Sequence, residues 1–289
     1  MTTRKLPPGA CDCHVHVFLP DRYPYAEDRV YTPGRVTGAQ LARFLDGHGL
    51  ARVVLVQPSV YGTDNRAMLD AMAELGRKRA RGVAVIDLST TTDEALADLD
   101  AAGVVGIRLN VTTRERGDVA KAVTAANKRL AGTRWHIQIY APIGVVADAE
   151  RTLARLGRPV VLDHFGGARI GAPRMAEGLR AVSRLVRNGP AWVKLSAAYR
   201  VSDRAGEVWP DVEPLAVSLI DMAPERMLWG SDWPHTGGHD RRATDKSAVE
   251  PFQAIDDRVA LGALATWAGS TAMLRRILVA NPARLYGFG

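Results

Sequence analysis

Two histidines spaced two residues apart, His14 and His16, are the first residues whose spacing indicates chemistry. They lie in a short apolar run that is typical of a β-strand. Side chains on a strand alternate between its two faces, so both imidazoles and Asp12 are predicted to share one face, while Cys11 and Cys13 point away from it toward outer helices. Two imidazoles that converge near a strand end can bind a metal ion or act together on one substrate atom.

The elements that position these histidines alternate between strands and helices. Eight short runs are typical of strands buried on both faces: Ala10–His16, Arg52–Gln57, Gly82–Asp87, Val104–Leu109, Trp135–Tyr140, Pro159–His164, Ala191–Ser196 and Met227–Asp232. Helical patterns lie between most of them: Asn65–Lys78, Asp93–Ala102 with Thr92 as its N-cap, Gly117–Leu130, Pro142–Leu156, Pro173–Val186 and Pro210–Met222. This alternation predicts an α/β protein, a TIM (β/α)8 barrel that forms a single domain over residues 1–289.

Active sites of such barrels lie at the C-terminal ends of the strands. Here those ends carry an unusual number of titratable and polar side chains. They are His14, His16, Ser59, Arg108, Tyr140, His164, Arg200, Asp232 and His235. The sequence therefore predicts one functional site at the barrel mouth.

The pattern of His-x-His after the first strand, His164 after the sixth and Asp232 after the eighth resembles the amidohydrolase superfamily. More narrowly, the chain is similar to the 2-pyrone-4,6-dicarboxylate lactonase group over nearly its whole length. The segments that carry this resemblance are Gly9–Phe18, Gly62–Asn65, Gly106–Arg108, Asp163-His164, Trp229–His235 and Asn281–Tyr286. The resemblance implies a hydrolase of aromatic degradation that opens a small carboxylated lactone.

The resemblance also implies roles for single residues. Asp232 is expected to take a proton from the attacking water, while His14, His16 and His164 surround the carbonyl oxygen. Guanidinium groups bind carboxylates through two parallel hydrogen bonds, which suits the predicted arginines to an anionic substrate. The predicted substrate-binding residues are Arg108, Arg114, Arg200, Ser59, Tyr140, Tyr31 and His235.

Two-metal members of the superfamily place a carboxylated lysine or a glutamate after the fourth strand and a histidine after the fifth. This sequence has Arg108 and Tyr140 at those places, and a guanidinium cannot ligate a cation. A site that requires no metal, as in the lactonase group, is therefore favoured. The alternative is a single divalent ion such as zinc on His14, His16 and Asp232.

The net charge of +7 is compatible with a solvated basic surface or with a basic pocket for an anionic substrate. The basic residues form no arm or stripe along the sequence, so no nucleic-acid partner is predicted. Without a long apolar run or a signal segment, no membrane partner is predicted and a cytoplasmic location is expected. The sequence indicates no oligomeric state.

Other functions compatible with the pattern are a mononuclear zinc-dependent hydrolase or decarboxylase of the same superfamily, a sugar-acid lactonase and a lactone isomerase. A binding protein that retains the barrel without the chemistry is the non-enzymatic alternative. Fold resemblance alone does not choose the substrate.

Overall fold

The structure is a computed structural model that describes residues 5–111, 118–204, 209–237 and 245–289. Eight parallel strands form one sheet, in which each strand pairs with the next of the eight along the chain. Two further short strands form a separate pair and are also numbered in chain order. Their bounds are β1 Cys11–Val15, β3 Arg52–Val56, β4 Ala80–Ala84, β5 Val104–Asn110, β6 His136–Tyr140, β7 Val160–Leu162, β8 Ala191–Ser196 and β9 Met227–Gly230. The predicted TIM barrel is confirmed, with strand ends that differ from the prediction by a few residues.

Helices alternate with these strands around the outside of the barrel. They are α1 Gly38–His48, α2 Arg66–Leu75, α3 Asp93–Ala102, α4 Val119–Arg129, α5 Ile143–Ala154, α6 His164–Gly167, α7 Met175–Asn188, α8 Ala198–Val201, α9 Glu213–Met222, α10 Asp257–Ala268, α11 Thr271–Arg275 and α12 Asn281–Tyr286. Thr92 caps α3 as predicted, since its side chain accepts the N–H of Ala95. Helix α1 was missed, although Thr37 and Gln40 form a capping box at its start. Among the helices of the described ranges, none is both long and apolar enough to cross a membrane.

The last strand meets the first where the functional residues lie. The N–H of Asp232 donates to the carbonyl of His14 at 2.9 Å, and the N–H of His16 donates to the carbonyl of Trp233 at 2.9 Å. Gly230 permits this approach, because a Cβ at that position would lie 2.6 Å from the Cβ of His14. Barrel closure therefore joins the predicted histidine strand directly to the predicted carboxylate.

The barrel has an outer and an inner apolar layer. Val53 and Leu55 of β3 pack outward with Leu41 and Leu45 of α1, while the alternate residues of β3 face the interior. The interior cluster consists of Cys11, Cys13, Val54, Val56, Val83, Val161, Trp192, Leu228, Tyr286 and Phe288. The prediction that the two cysteines pack outward against helices was therefore wrong.

The physical reason is an irregularity in β1, whose register against β3 shifts between Asp12 and Val15. Strict alternation of side chains ends at such a shift. Asp12 also departs from its predicted position beside the histidines. Its Oδ1 accepts the backbone N–H groups of His14 and Ser231, both at 3.0 Å, and so ties β1 to the end of β9.

A pair of short strands, β2 Thr32–Pro33 and β10 Val249–Glu250, lies parallel in a second sheet. The Thr32 hydroxyl donates to the carbonyl of Lys246 at 2.7 Å. These contacts join the segment after β1 to the segment after β9, and they place Tyr31 at the barrel mouth.

Candidate active site

Asp232 lies just beyond β9, where its carboxylate is 2% exposed. Its Oδ2 accepts hydrogen bonds from the Tyr199 hydroxyl at 2.6 Å and from Nε of Arg200 at 2.8 Å. Burial by itself would raise the pKa of Asp232, but the Arg200 guanidinium and the nearby histidines hold it well below its usual value. Asp232 is therefore an ionised carboxylate at neutral pH.

The other oxygen of Asp232 faces three imidazoles. Its Oδ1 lies 3.6 Å from Nε2 of His14, 3.5 Å from Nε2 of His16 and 3.9 Å from Nε2 of His164. Burial lowers the pKa of His164 to about 4 and the pKa of His14 well below its usual value. Both imidazoles are therefore neutral at pH 7.

Hydrogen bonds at the far side of each ring orient the histidines. Nδ1 of His16 lies 2.7 Å from the carbonyl oxygen of Val56, so this nitrogen carries a proton and donates it to the carbonyl. Nδ1 of His164 lies 2.9 Å from Oγ of Ser196. Rings held in this way present their Nε2 atoms to the pocket in a fixed direction.

A layer of charged residues that the sequence analysis did not select lies beneath the histidines. Nδ1 of His14 is 3.2 Å from Oδ1 of Asp163 and 3.4 Å from Nζ of Lys194. Lys194 also donates to Oε1 of Gln138 at 2.7 Å, and Gln138 donates to Oδ2 of Asp163 at 3.0 Å. A lysine and a glutamine at inward positions of strands that are otherwise apolar are the sequence signal that could have identified this layer.

Asp163 also binds Arg108, whose Nε and Nη2 each lie 3.2 Å from Oδ2 of Asp163. Burial would raise the pKa of Asp163, but His14, Lys194 and Arg108 hold it well below its usual value. The guanidinium of Arg108 places a positive charge beside His14, Asp163 and His164, the residues that could form a second metal site. The guanidinium would repel a metal ion bound by these residues, so this arrangement disfavours a second metal ion.

A single divalent ion fits the other group, His14, His16 and Asp232. Tetrahedral coordination with bonds of about 2.0–2.1 Å separates ligand atoms by about 3.3–3.4 Å. The separations of 3.5 and 3.6 Å from Oδ1 of Asp232 are close to this value. In the described part of the chain, Nε2 of His14 is also buried without a hydrogen-bond partner. The predicted alternative ligand set is thus geometrically suited to an ion.

A pocket opens above this cluster at the barrel mouth. Eight predicted site residues line it: His16, His164, Asp232, Arg108, Arg200, Ser59, Tyr140 and Tyr31. Pro58, Asn110 and Thr236 line it as well and were not predicted. The structure therefore brings residues from most of the barrel strands to one pocket, as the strand-end argument requires.

Two predicted site residues do not line the pocket, and a third lies outside the described residues. His14 is fully buried beneath the pocket, in contact with Asp163. His235 is also buried, and its Nε2 lies 2.9 Å from Oδ2 of Asp257 instead of lining the pocket. Arg114 lies outside the described residues. A substrate contact by His235 or Arg114 stays a prediction.

Several residues without the freedom of glycine have a positive φ around this pocket. They are His164 and Phe165 after β7, Ala197 after β8, and Asp232 and His235 after β9. Such conformations cost energy and are enriched at functional sites. Their position here is consistent with a site that is held in shape by the surrounding structure.

A family model described as amidohydrolase matches residues 11–288. The 2-pyrone-4,6-dicarboxylate hydrolase of Comamonas testosteroni is 34% identical over 292 residues, which cover 98% of this chain and 91% of that protein. The 4-sulfomuconolactone hydrolase of Hydrogenophaga intermedia is 31% identical over 286 residues, with 98% and 90% covered. A putative 2-pyrone-4,6-dicarboxylic acid hydrolase from Pseudomonas putida, solved by crystallography, has a TM-score of 0.79 at 27% identity, covering 98% of this chain and 99% of that one. This chain is an enzyme that belongs to the amidohydrolase family.

Proposed function

We propose that this enzyme hydrolyses the ring ester of a small carboxylated lactone. The observation that carries the proposal is the common pocket in which Asp232, His16 and His164 face the same space as Arg108. A carboxylate and neutral imidazoles suit the activation of water, and a guanidinium suits the recognition of a carboxylate. The names of the relatives described above support this substrate class.

The charged side chains around the pocket indicate how an anionic substrate would bind. Around the pocket, the cationic side chains of Arg108, Arg200 and Lys194 face the two carboxylates of Asp163 and Asp232. The described charges therefore leave one positive charge uncompensated, which one substrate carboxylate would neutralise. We assign this carboxylate to Arg108.

We propose that Arg200 orients Asp232, while its predicted contact with the substrate stays a prediction. Its Nε binds Asp232, and its Nη2 donates to the carbonyl of Thr236 at 2.7 Å. Most of its donors are therefore occupied by the protein. Tyr31, Ser59 and Tyr140 line the pocket, and their hydroxyl groups would supply further hydrogen bonds to the substrate.

In the proposed reaction, water lies against Oδ1 of Asp232 and attacks the lactone carbonyl. Asp232 takes the proton of this water, and the tetrahedral oxyanion is stabilised by an N–H from the histidine cluster. His164, which lines the pocket, can supply this N–H when the Ser196 hydroxyl donates to its Nδ1, because the proton of the neutral ring is then on Nε2. Collapse of this intermediate breaks the bond between the acyl carbon and the ring oxygen, and the proton held by Asp232 passes to the leaving oxygen. The product is a hydroxy acid or, from an enol lactone, an enol acid.

A divalent ion on His14, His16 and Asp232 would polarise the carbonyl and lower the pKa of bound water. We propose that turnover does not require this ion. Each carboxylate at the site already has a guanidinium partner, Arg200 for Asp232 and Arg108 for Asp163. The buried negative charge is therefore compensated by the chain itself.

The test is a panel of carboxylated lactones and of their neutral methyl esters, followed by NMR of the products. Formation of a ring-opened hydroxy acid or enol acid from the anionic lactones supports the proposal. A rearranged lactone would identify an isomerase, and release of CO2 would identify a decarboxylase. Binding of these lactones without turnover would contradict the proposed hydrolysis.

A further inference from the structure

Both donors to Oδ2 of Asp232 come from one short helix, α8, which follows β8 directly. Ala197 enters this helix with φ 52° and ψ 53°, a left-handed conformation that alanine rarely adopts. After this turn, two consecutive side chains reach the same carboxylate oxygen, the Tyr199 hydroxyl at 2.6 Å and Nε of Arg200 at 2.8 Å. The strained backbone of Ala197 therefore directly precedes the residues that bind the carboxylate of Asp232.

The backbone of Asp232 is held on both sides as well. Its N–H donates to His14, and its carbonyl accepts the N–H of His235, both at 2.9 Å. Its φ of 68° is also left-handed. With the backbone fixed, the remaining freedom of Asp232 is rotation of its carboxylate. One donor to Oδ2 would leave the plane of the carboxylate free to turn, whereas two donors determine it.

Tyr199 does not line the substrate pocket among the residues for which the structure is described. Its ring lies behind Asp232 and lines a separate, largely apolar pocket together with Trp209, Trp229 and Trp267. The ring also contacts His235 edge to face, with centroids 5.6 Å apart. The Tyr199 hydroxyl therefore acts on a bound substrate through Asp232, the residue to which it donates.

We propose that Tyr199 is a positioning residue that, together with Arg200, fixes the carboxylate of Asp232 so that Oδ1 faces the three histidine Nε2 atoms. This inference deepens the proposed function and rests on it. The hydroxyl saturates Oδ2, and this leaves Oδ1 as the oxygen that is available to water in the pocket. A phenol is neutral at pH 7 because its ordinary pKa is about 10, so it donates a hydrogen bond without adding charge.

The test is Y199F, which removes one oxygen atom and retains the ring. Loss of a hydrogen bond to a charged group predicts a kcat lower by about 10- to 100-fold. KM should remain within about threefold of the wild-type value, because Tyr199 makes no substrate contact. The matched control is Y286F, since the Tyr286 hydroxyl at the inner end of the barrel is buried without a hydrogen-bond partner among the described residues. A second comparison is Y140F, in which loss of a pocket hydroxyl should raise KM.

An unchanged kcat in Y199F, or a loss in kcat/KM that is entirely a rise in KM, would overturn the proposal. A crystal structure of Y199F provides a readout that does not depend on turnover. We expect the Asp232 carboxylate to be rotated, with Oδ1 farther from Nε2 of His16 than the present 3.5 Å. If the wild-type enzyme opened no lactone, the proposed function would fail while this comparison still tested Tyr199. An Asp232 carboxylate in its wild-type orientation would then refute the positioning role.

Discussion

Replacement of Arg108 by lysine separates substrate recognition from the chemical step. Arg108 is 6% exposed and lines the pocket, while its Nε and Nη2 contact Asp163. Lysine keeps the positive charge near Asp163 but cannot bind a carboxylate through two parallel hydrogen bonds. R108K therefore tests the assignment of the substrate carboxylate with the smallest change in buried charge.

The expected change in KM follows from the hydrogen bond to the substrate carboxylate that R108K removes. A hydrogen bond to a charged group contributes about 1.5–3 kcal/mol. At about 1.4 kcal/mol per tenfold change, this corresponds to a KM for the carboxylated lactone that is higher by about 10- to 150-fold. We expect kcat to change far less, because Asp232 and its partners Tyr199 and Arg200 are not altered.

The assay compares the carboxylated lactone with its neutral methyl ester in the wild type and in R108K. The wild type should prefer the carboxylate, and R108K should lose most of that preference while hydrolysing the ester at a similar rate. Equal losses for both substrates would refute the assignment, since Arg108 would then act by supporting Asp163. Thermal unfolding of the two proteins provides the control for that structural effect.

Other predictions concern the carboxylate, the metal, pH and barrel closure. D232N should lower kcat by about 10²- to 10⁴-fold with little change in KM, and a near wild-type rate would contradict its role as the base. Exhaustive chelation, checked by metal analysis, should leave turnover unchanged, whereas activity lost on chelation and restored by zinc would show that a metal is required. Because burial lowers the pKa of His164 to about 4, below the ordinary value of 6.5, the free energy of unfolding should decrease as pH falls from about 6.5 toward 4. Urea titrations at several pH values test this sign, and a free energy of unfolding that increases as the pH falls would contradict it. G230A should lower the free energy of unfolding by about 1–3 kcal/mol or more, because its Cβ would lie 2.6 Å from the Cβ of His14, and an unchanged melting temperature would refute the packing argument.

Local patterns in the chain were sufficient to identify the fold and most of the pocket. The apolar runs and the helices between them predicted the barrel, because strands buried on both faces and amphipathic helices have distinct periodicities. The strand-end rule then selected residues such as His16, Arg108 and Asp232, which do line one pocket. Helix α1 was not predicted, although the Thr37 side chain provides the signal for its first turn.

The interactions between these residues depend on how the barrel closes, which no local pattern encodes. The register shift in β1 turned Cys11 and Cys13 inward, although simple alternation indicated the opposite. Arg200 lines the pocket, and its hydrogen bond to Asp232 was not predicted from the sequence. The contacts of Asp163 with Lys194 and of Tyr199 with Asp232 join residues on different strands and loops. The sequence therefore identifies which side chains reach the barrel mouth, whereas their pairing, and with it the charge and orientation of each group, follows from the three-dimensional packing of strands that are far apart in the chain.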